Sequence, residues 1–217
     1  MKKGRAVLTV LLCSATLLAV GCGKKDADYT WNAKESSIYV SNELDVESAL
    51  VYTSEQFNEL YTQEGLEEFA KEAVIRYNEE QGASAQAENT EGSEKLPTAL
   101  VSTKLESRTG TLIFDYKSAE DFVKFAKETE DDTNTVTDLK VGTVSDGLPD
   151  GMTFTTLSGK TAESSELTKN VETKMIVITG SATICTQGKI SFISDGVTVT
   201  DSHTAVTPEG TSCILFQ

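Results

Sequence analysis

The feature that most constrains the fold of this 217-residue chain is a series of short β-prone segments between Thr135 and the C-terminus. Turn residues such as Asp-Gly, Gln-Gly and Pro-Glu-Gly separate most of them, which is the pattern of consecutive hairpins. The candidate strands are 136–144, 152–157, 171–179, 182–186, 189–193, 197–200, 204–206 and 213–216. One stretch, from Met175 to Ile178, is apolar on both faces, which predicts a central strand covered on each side.

The first half of the chain mixes strand and helix periodicities. Strands are predicted at 38–40 and 46–52, and a hairpin is predicted from 99–105 and 112–116 around a turn at 107–110. Three amphipathic helices are predicted. The first begins at Ser54 and carries Phe57, Leu60 and Tyr61. The second follows Gly65, ends near Gly82 and buries Leu66, Phe69, Ala70, Ala73 and Tyr77, and the third is capped by Ser118 and buries Phe122, Phe125 and Ala126. The predicted class is α+β, with an antiparallel sheet, two or three amphipathic helices and a β-rich C-terminal half.

The charge balance excludes one class of partner. The chain has 34 acidic residues against 19 basic ones, a net charge of −15. A protein this acidic is repelled by phosphate backbones and gains nothing from counterion release, so no nucleic-acid partner is expected. The excess of carboxylates indicates solubility outside the cell, and cation binding is the alternative.

The N-terminus has the layout of an export signal. Basic residues within the first five positions precede an apolar run from Ala6 to Val20, and its 15 residues fall short of the roughly 20 that a membrane-spanning helix needs. The run leads into Leu18-Ala19-Val20-Gly21-Cys22, which resembles the lipobox of bacterial lipoproteins. Gly21 and Cys22 match the motif, whereas Ala19 stands where that family usually has leucine.

The resemblance implies a lipid anchor at Cys22. In this family the cysteine thiol carries a diacylglyceryl group and becomes the first mature residue, so the protein is expected on the extracytoplasmic face of the cell membrane. Two acyl chains at about 0.8 kcal/mol per buried methylene group make stable anchoring. The alternative is an ordinary secretory signal or an uncleaved anchor in which Cys22 is incidental. The whole chain is similar to lipoproteins of Gram-positive anaerobes, with no further motif beyond the lipobox.

The implied organisation has three parts. Residues 1–21 are the signal peptide, and residues 22–37 are the lipidated cysteine with a flexible polar tether. Residues 38–217 form a single domain, in which the stretch 82–97 is a flexible loop because it is rich in Gly, Ala, Ser and Glu. Trp31 is expected to dock on the domain rather than to enter the membrane interface.

Two cysteines remain beyond Cys22, namely Cys185 and Cys213. An even pair in an exported chain can form a disulfide, and the loop of about 30 residues that it would close corresponds to roughly 3 to 4 kcal/mol of stabilisation. We expect the two residues on neighbouring strands of the final sheet, either bonded or packed together. Two buried free thiols that act as small hydrophobic residues are the alternative.

A search for catalytic and metal-binding motifs identifies no site. His203 is the only histidine, so motifs with paired histidine ligands cannot occur. Asp201, Ser202 and His203 are the residue types of a hydrolase triad, but adjacent strand residues point to opposite faces and cannot align. An acidic cluster with Asn134 lacks the residue order and the glycine of an EF-hand loop; its members are Glu128, Glu130, Asp131, Asp132 and Asp138. No catalytic residue, metal ion or cofactor is predicted.

Two classes of function fit these observations. The first is a non-catalytic binding or scaffolding module of the cell envelope, held by its diacylglyceryl anchor, that binds a protein, a glycan or a small ligand. The alternative is an envelope hydrolase that uses carboxylates brought together by the fold, because such pairs need no local sequence motif.

Lipidation of Cys22 is directly testable. The Cys22→Ala variant has no thiol to carry lipid, so it should either leave the membrane fraction or keep its signal peptide. Membrane fractionation and the mass of the mature chain give the readout. Normal processing together with unchanged membrane partitioning would contradict the assignment.

Overall fold

The structure is a computed structural model that describes residues 29–54, 61–131 and 133–217. Within these residues the strands are β1 Ser37–Val40, β2 Val46–Thr53, β3 Thr98–Glu106, β4 Thr109–Tyr116, β5 Asp138–Thr143, β6 Phe154–Thr156, β7 Lys174–Thr179, β8 Ala182–Thr186, β9 Ile190–Ser194, β10 Thr198–Asp201, β11 Thr204–Thr207 and β12 Thr211–Phe216. The helices of the same residues are α1 Gln63–Glu80, α2 Ala119–Glu128 and α3 Ser164–Leu167. The mixture of helices with a larger share of strands is confirmed, whereas the helix predicted from Ser54 falls mainly in 55–60, outside the described residues.

The strands form two sheets rather than the single antiparallel sheet that the sequence predicted. Sheet A has the order β10-β11-β8-β1-β2-β4-β3, and sheet B has the order β5-β7-β12-β9-β6. Neighbouring strands are antiparallel except β1 and β8, which run parallel with Ile38 opposite Ile184. The hairpin β3–β4 and the pair β1–β2 are confirmed.

Two sheets form because the chain crosses between them at turns where hairpins were predicted. The connections β7 to β8 and β8 to β9 pass from sheet B to sheet A and back. Gly180, at the first crossing, has a φ of 123°, and a Cβ there would collide with the carbonyl oxygen of Thr135. A Cβ at Gly188, at the second crossing, would collide with the backbone of Gln217. Both glycines therefore let the chain pass close to another segment as it changes sheet.

Strands β7 and β12 in sheet B are buried on both faces. Ile176 and Ile178 of β7 point into the main core, which also contains Ile184 of sheet A and Phe122 of α2. Met175, the residue before Ile176, points the other way into a second core. That second core is closed by residues from the segment between β5 and β7 and includes Val144, Phe154, Leu167, Met175, Cys213 and Leu215. The central strand predicted at Met175–Ile178 is confirmed.

Helix α2 covers one end of β4 in sheet A. Ser118 caps the helix, because its hydroxyl accepts a hydrogen bond from the Asp121 amide at 3.1 Å, as the sequence predicted. Phe122 and Phe125 then contact Tyr116 and Phe114, with ring centroids 5.1 to 6.1 Å apart. Aromatic pairs of this geometry add about 0.5 to 1.5 kcal/mol each beyond the buried area.

Helix α1 packs on β3 with a buried stripe that differs from the predicted one. Thr62 caps the helix by accepting a hydrogen bond from the Gly65 amide, so Gly65 lies within its first turn and does not interrupt it. Ala70, Val74 and Tyr77 are buried. Phe69, predicted on the buried face, is 67% exposed, because the stripe is centred on Val74, which is fully buried.

The loop between α1 and β3 is fastened to both elements by Asn78. This fully buried side chain donates to the carbonyl oxygens of Gln86 and Thr98 at 2.9 Å and accepts from the Thr98 amide at 3.1 Å. Ala87 and Leu96, inside the loop, are also buried. The predicted loop at 82–97 therefore has no helix or strand but has several fixed contacts.

Residues 29–36, called here the N-terminal segment, lie on the outer face of sheet A. Trp31 stacks on Tyr39 at 5.1 Å, and Tyr29 stacks on His203 at 4.2 Å. The Ser36 hydroxyl bonds to the backbone of Val51 in β2. Trp31 docks on the domain, as expected. No helix in the described part of the chain is both long and apolar enough to cross a membrane.

Candidate functional site

An open cleft lies on the inner face of sheet A, at the end of β4 that α2 does not cover. Its floor consists of two neighbouring rows of residues, and each row runs across adjacent strands in the order β2, β4, β3. Leu50 lies opposite Leu112, and Tyr52 lies opposite Gly110, which in turn lies opposite Leu105. Because residues directly opposite in antiparallel strands share a face, all these side chains point into the same space.

The first turn of α1 forms the wall of the cleft. Gln63 fixes this turn to β3: its side-chain amide donates to the Thr103 hydroxyl at 2.8 Å and accepts from the Leu105 amide at 2.8 Å. Leu66, three residues after Gln63, lies against Gly110. A Cβ added at Gly110 would be 3.4 Å from a Leu66 methyl carbon, an ordinary contact distance. The missing side chain at Gly110 therefore keeps the floor open.

The cleft has the size and lining of a small-molecule site. Its volume is about 580 Å³, within the roughly 300 to 1,000 Å³ typical of ligand pockets. Four leucines supply the apolar lining, namely Leu50, Leu66, Leu105 and Leu112. Tyr52 and Tyr61, also in the lining, are 66% and 55% exposed. Exposed aromatic side chains grouped at one cleft mark a contact surface, whereas scattered ones do not.

The polar groups of the cleft come from the two-residue turn between β3 and β4 and from the end of β2. Arg108 is in the turn, and its carbonyl oxygen accepts a hydrogen bond from the Ser54 amide at 3.0 Å. The hydroxyls of Thr53 and Thr109 are 2.8 Å apart. These bonds hold the turn beside the end of β2, and Arg108 is one of the residues that line the cleft.

The structure separates the two cysteines that the sequence grouped. Cys185 is on β8 in sheet A and Cys213 is on β12 in sheet B, so the prediction that they lie on neighbouring strands is wrong. The crossings between the sheets are the reason. Both thiols are free and buried. Cys22, the predicted lipid-attachment residue, lies outside the described residues.

His203 has structural contacts on both sides of its ring. Its Nδ1 atom is 3.0 Å from the Thr186 carbonyl oxygen, and its ring stacks on Tyr29. Its backbone amide donates to the Asp201 carboxylate at 2.7 Å. The Tyr29 hydroxyl has hydrogen-bond contacts with Thr204 and the Cys185 thiol, and burial raises the pKa of Tyr29 to about 12.

The described members of the acidic cluster at the end of α2 form no metal-binding group. The Asp131 carboxylate accepts from the Thr133 amide at 2.9 Å and from the Asn134 side chain at 3.2 Å, so it organises a local turn. Asp132 lies outside the described residues. Among those that the structure describes, no group of three or more His, Cys, Asp and Glu side chains could hold a metal ion.

One pair of carboxylates does come together on the outer face of sheet A. Glu47 of β2 lies opposite Asp115 of β4, and Lys95 forms an ion pair with Asp115 at 2.8 Å. Burial, and next the negative charge of Asp115, raise the pKa of Glu47 above its ordinary value. Tyr39, stacked against Trp31, is opposite Glu47 on the other side.

Sequence patterns missed the cleft because its residues come from distant segments. Leu66 was assigned to a helix core, and Arg108 was assigned to a turn without a functional role. The available signal was Gly110, a glycine inside a strand, since such a position often marks a close approach of another group.

Searches against protein-family descriptions, curated proteins and solved structures give no match for this chain.

The cover of Tyr29 over Cys185 gives a measurable thiol reactivity. Burial raises the pKa of the Cys185 thiol above its ordinary value and that of Cys213 to about 12, so little reactive thiolate exists at pH 8. Tyr29→Ala removes part of the burial that raises the pKa of Cys185 and also a Tyr29 hydrogen bond that lowers it. Because burial is the larger effect and the thiol becomes accessible, alkylation by iodoacetamide should speed up about tenfold.

The rates are read at pH 8 by mass spectrometry of the cysteine-containing peptides. Cys213, in the second core, is the internal control, and Tyr52→Ala is the control variant, because both lie away from the N-terminal segment. An unchanged Cys185 rate in Tyr29→Ala would show that Tyr29 does not protect this thiol.

Proposed function

We propose that this chain is a membrane-anchored extracytoplasmic lipoprotein that acts as a non-catalytic binding module of the cell envelope, with the cleft of sheet A as its ligand site. The observation that carries the binding part is the open cleft itself. Leu50, Leu66 and Leu105 are half-buried at the cleft, and apolar surface left in water costs about 25 cal/mol per Å², a cost that a ligand would remove.

The anchor part rests on the lipobox resemblance at Cys22. Seven steps along the chain separate Cys22 from Tyr29, a reach of at most about 25 Å for an extended chain. Because the N-terminal segment contacts sheet A from Tyr29 onward, a lipid at Cys22 would hold the domain close to the bilayer rather than at the end of a long tether.

The α+β class is part of the same proposal. Antiparallel strands dominate both sheets, and α1 and α2 pack together through Tyr77 and Phe125 on one side of sheet A. Helices gathered on one face of antiparallel strands are the arrangement of that class.

A second candidate function is an envelope hydrolase that uses Glu47 and Asp115. The raised pKa of Glu47 beside a second carboxylate favours it, since perturbed carboxyl groups concentrate at functional sites. An ion-pair network explains the same pair without catalysis, because Lys95 pairs with Asp45 and Asp115 beside Glu47. The pair also lies on the exposed side of the sheet and not in the cleft. Binding at the cleft is therefore the better supported function.

A thermal-shift screen tests the binding function. The full chain in phospholipid nanodiscs is heated with small carboxylates, alcohols, sugars and peptides, and unfolding is followed by the fluorescence of Trp31. A ligand at 100 times its Kd adds about 2.7 kcal/mol to the free energy of unfolding, which for a domain of this size raises Tm by roughly 5 to 10 °C.

Gly110→Val adds a three-carbon isopropyl group to the cleft, so it should abolish the shift, whereas Thr111→Val on the opposite face of the same strand should keep it. A shift that survives in Gly110→Val would place binding elsewhere. Turnover of ester, glycan or peptide substrates that is lost in Glu47→Gln would favour the hydrolase instead.

A further inference from the structure

We propose that the cleft of sheet A selects small soluble amphipathic carboxylates, with an aliphatic body on the leucines and the carboxylate on Arg108. This inference rests on the proposed binding function and specifies the ligand class of the same site.

The first argument is charge. Arg108 is the one charged side chain among the described residues that line the cleft. It forms no ion pair with any other described residue, whereas Arg76 pairs with Glu128. The exposed Arg108 guanidinium can therefore bind an anion, although the chain as a whole has a net charge of −15. A guanidinium binds a carboxylate through two parallel hydrogen bonds, which are charge-assisted and about twice as strong as neutral ones.

The second argument is the position of that charge. The Arg108 backbone is fixed to the end of β2 by the Ser54 amide, and the Ser54 and Thr53 hydroxyls lie on the same rim. Leu50 and Leu112 lie one row of residues further from the turn than Tyr52 and Gly110, whereas Leu66 and Leu105 border Gly110. Polar and apolar groups therefore occupy different parts of one cleft, as an amphipathic molecule requires.

The third argument is the kind of polar group that the described lining residues carry. Among the described lining residues there is no carboxylate and no side-chain amide, the groups that would satisfy the many hydroxyls of a glycan. A sugar placed on Leu50, Leu66 and Leu112 would bury hydroxyls without partners, at about 1 to 3 kcal/mol each. An aliphatic chain has no polar groups that would be left without hydrogen-bond partners on the same surface.

The test compares charged and uncharged ligands of equal length. Hexanoate, octanoate, 1-hexanol and 1-octanol are titrated calorimetrically into the full chain in phosphatidylcholine nanodiscs, with empty nanodiscs as the blank. Octanoate should bind more tightly than 1-octanol, and two added methylene groups should tighten carboxylate binding by roughly tenfold, from about 0.8 kcal/mol per methylene. Gly110→Val should remove binding of all four compounds.

Charge variants isolate the role of Arg108. Arg108→Gln should weaken octanoate binding about tenfold and leave 1-octanol unchanged, since it removes a charge-assisted pair at an exposed position. Arg76→Gln is the matched control, because it removes the same charge away from the cleft, and it should leave both affinities unchanged.

Three results would overturn the inference. Equal binding of octanoate and 1-octanol that Gly110→Val abolishes would keep the cleft as a binding site but remove its preference for carboxylates. Equal losses in Arg108→Gln and Arg76→Gln would reduce the effect to net charge. Octanoate binding that survives in Gly110→Val would place the carboxylate site outside the cleft.

Discussion

The fold depends on the burial of β7 and β12 on both faces. These strands carry apolar side chains in both directions, so sheet B needs a cover on each side. Sheet A with α2 covers one side, and the segments that contain Val144 and Leu167 cover the other. Each large aliphatic side chain buried in this way contributes about 1.5 to 3 kcal/mol. Sheet B thus supplies the centre of the domain, and the remaining elements are arranged to cover it.

The candidate site follows from how that cover is distributed. Sheet A has seven strands, but sheet B and α2 cover only part of its inner face. At the far end of β2 and β4, Leu50 and Leu66 pack at the edge of the main core, which includes Leu112, and Gly110 has no side chain to fill the space beside them. The opposite face is protected differently, by the N-terminal segment with Tyr29 and Trp31. At this end of the sheet the described residues leave apolar surface partly exposed, and a ligand could bury it.

Local features of the fold were predictable, and long-range ones were not. The cap at Ser118, the hairpin β3–β4 and the doubly buried Met175–Ile178 each depend on residues close in sequence. The division into two sheets depends on which distant segments approach Gly180 and Gly188. Local sequence patterns do not contain information about such long-range contacts. The exposure of Phe69 has the same cause, because the neighbours of α1 decide which side of its apolar stripe is buried. The cleft unites residues from three distant stretches, so only the fold could reveal it.

Hydrogen–deuterium exchange of the full chain, followed by mass spectrometry of its peptides, tests the central claim that sheet A is packed at one end and open at the other. Strands β7 and β12 should exchange only through global unfolding. Residues 50–54 and 109–112 should exchange at least about tenfold faster, through local opening that costs less free energy, and octanoate should slow them selectively. Equal protection of these residues and of β12, with no response to octanoate, would contradict the account.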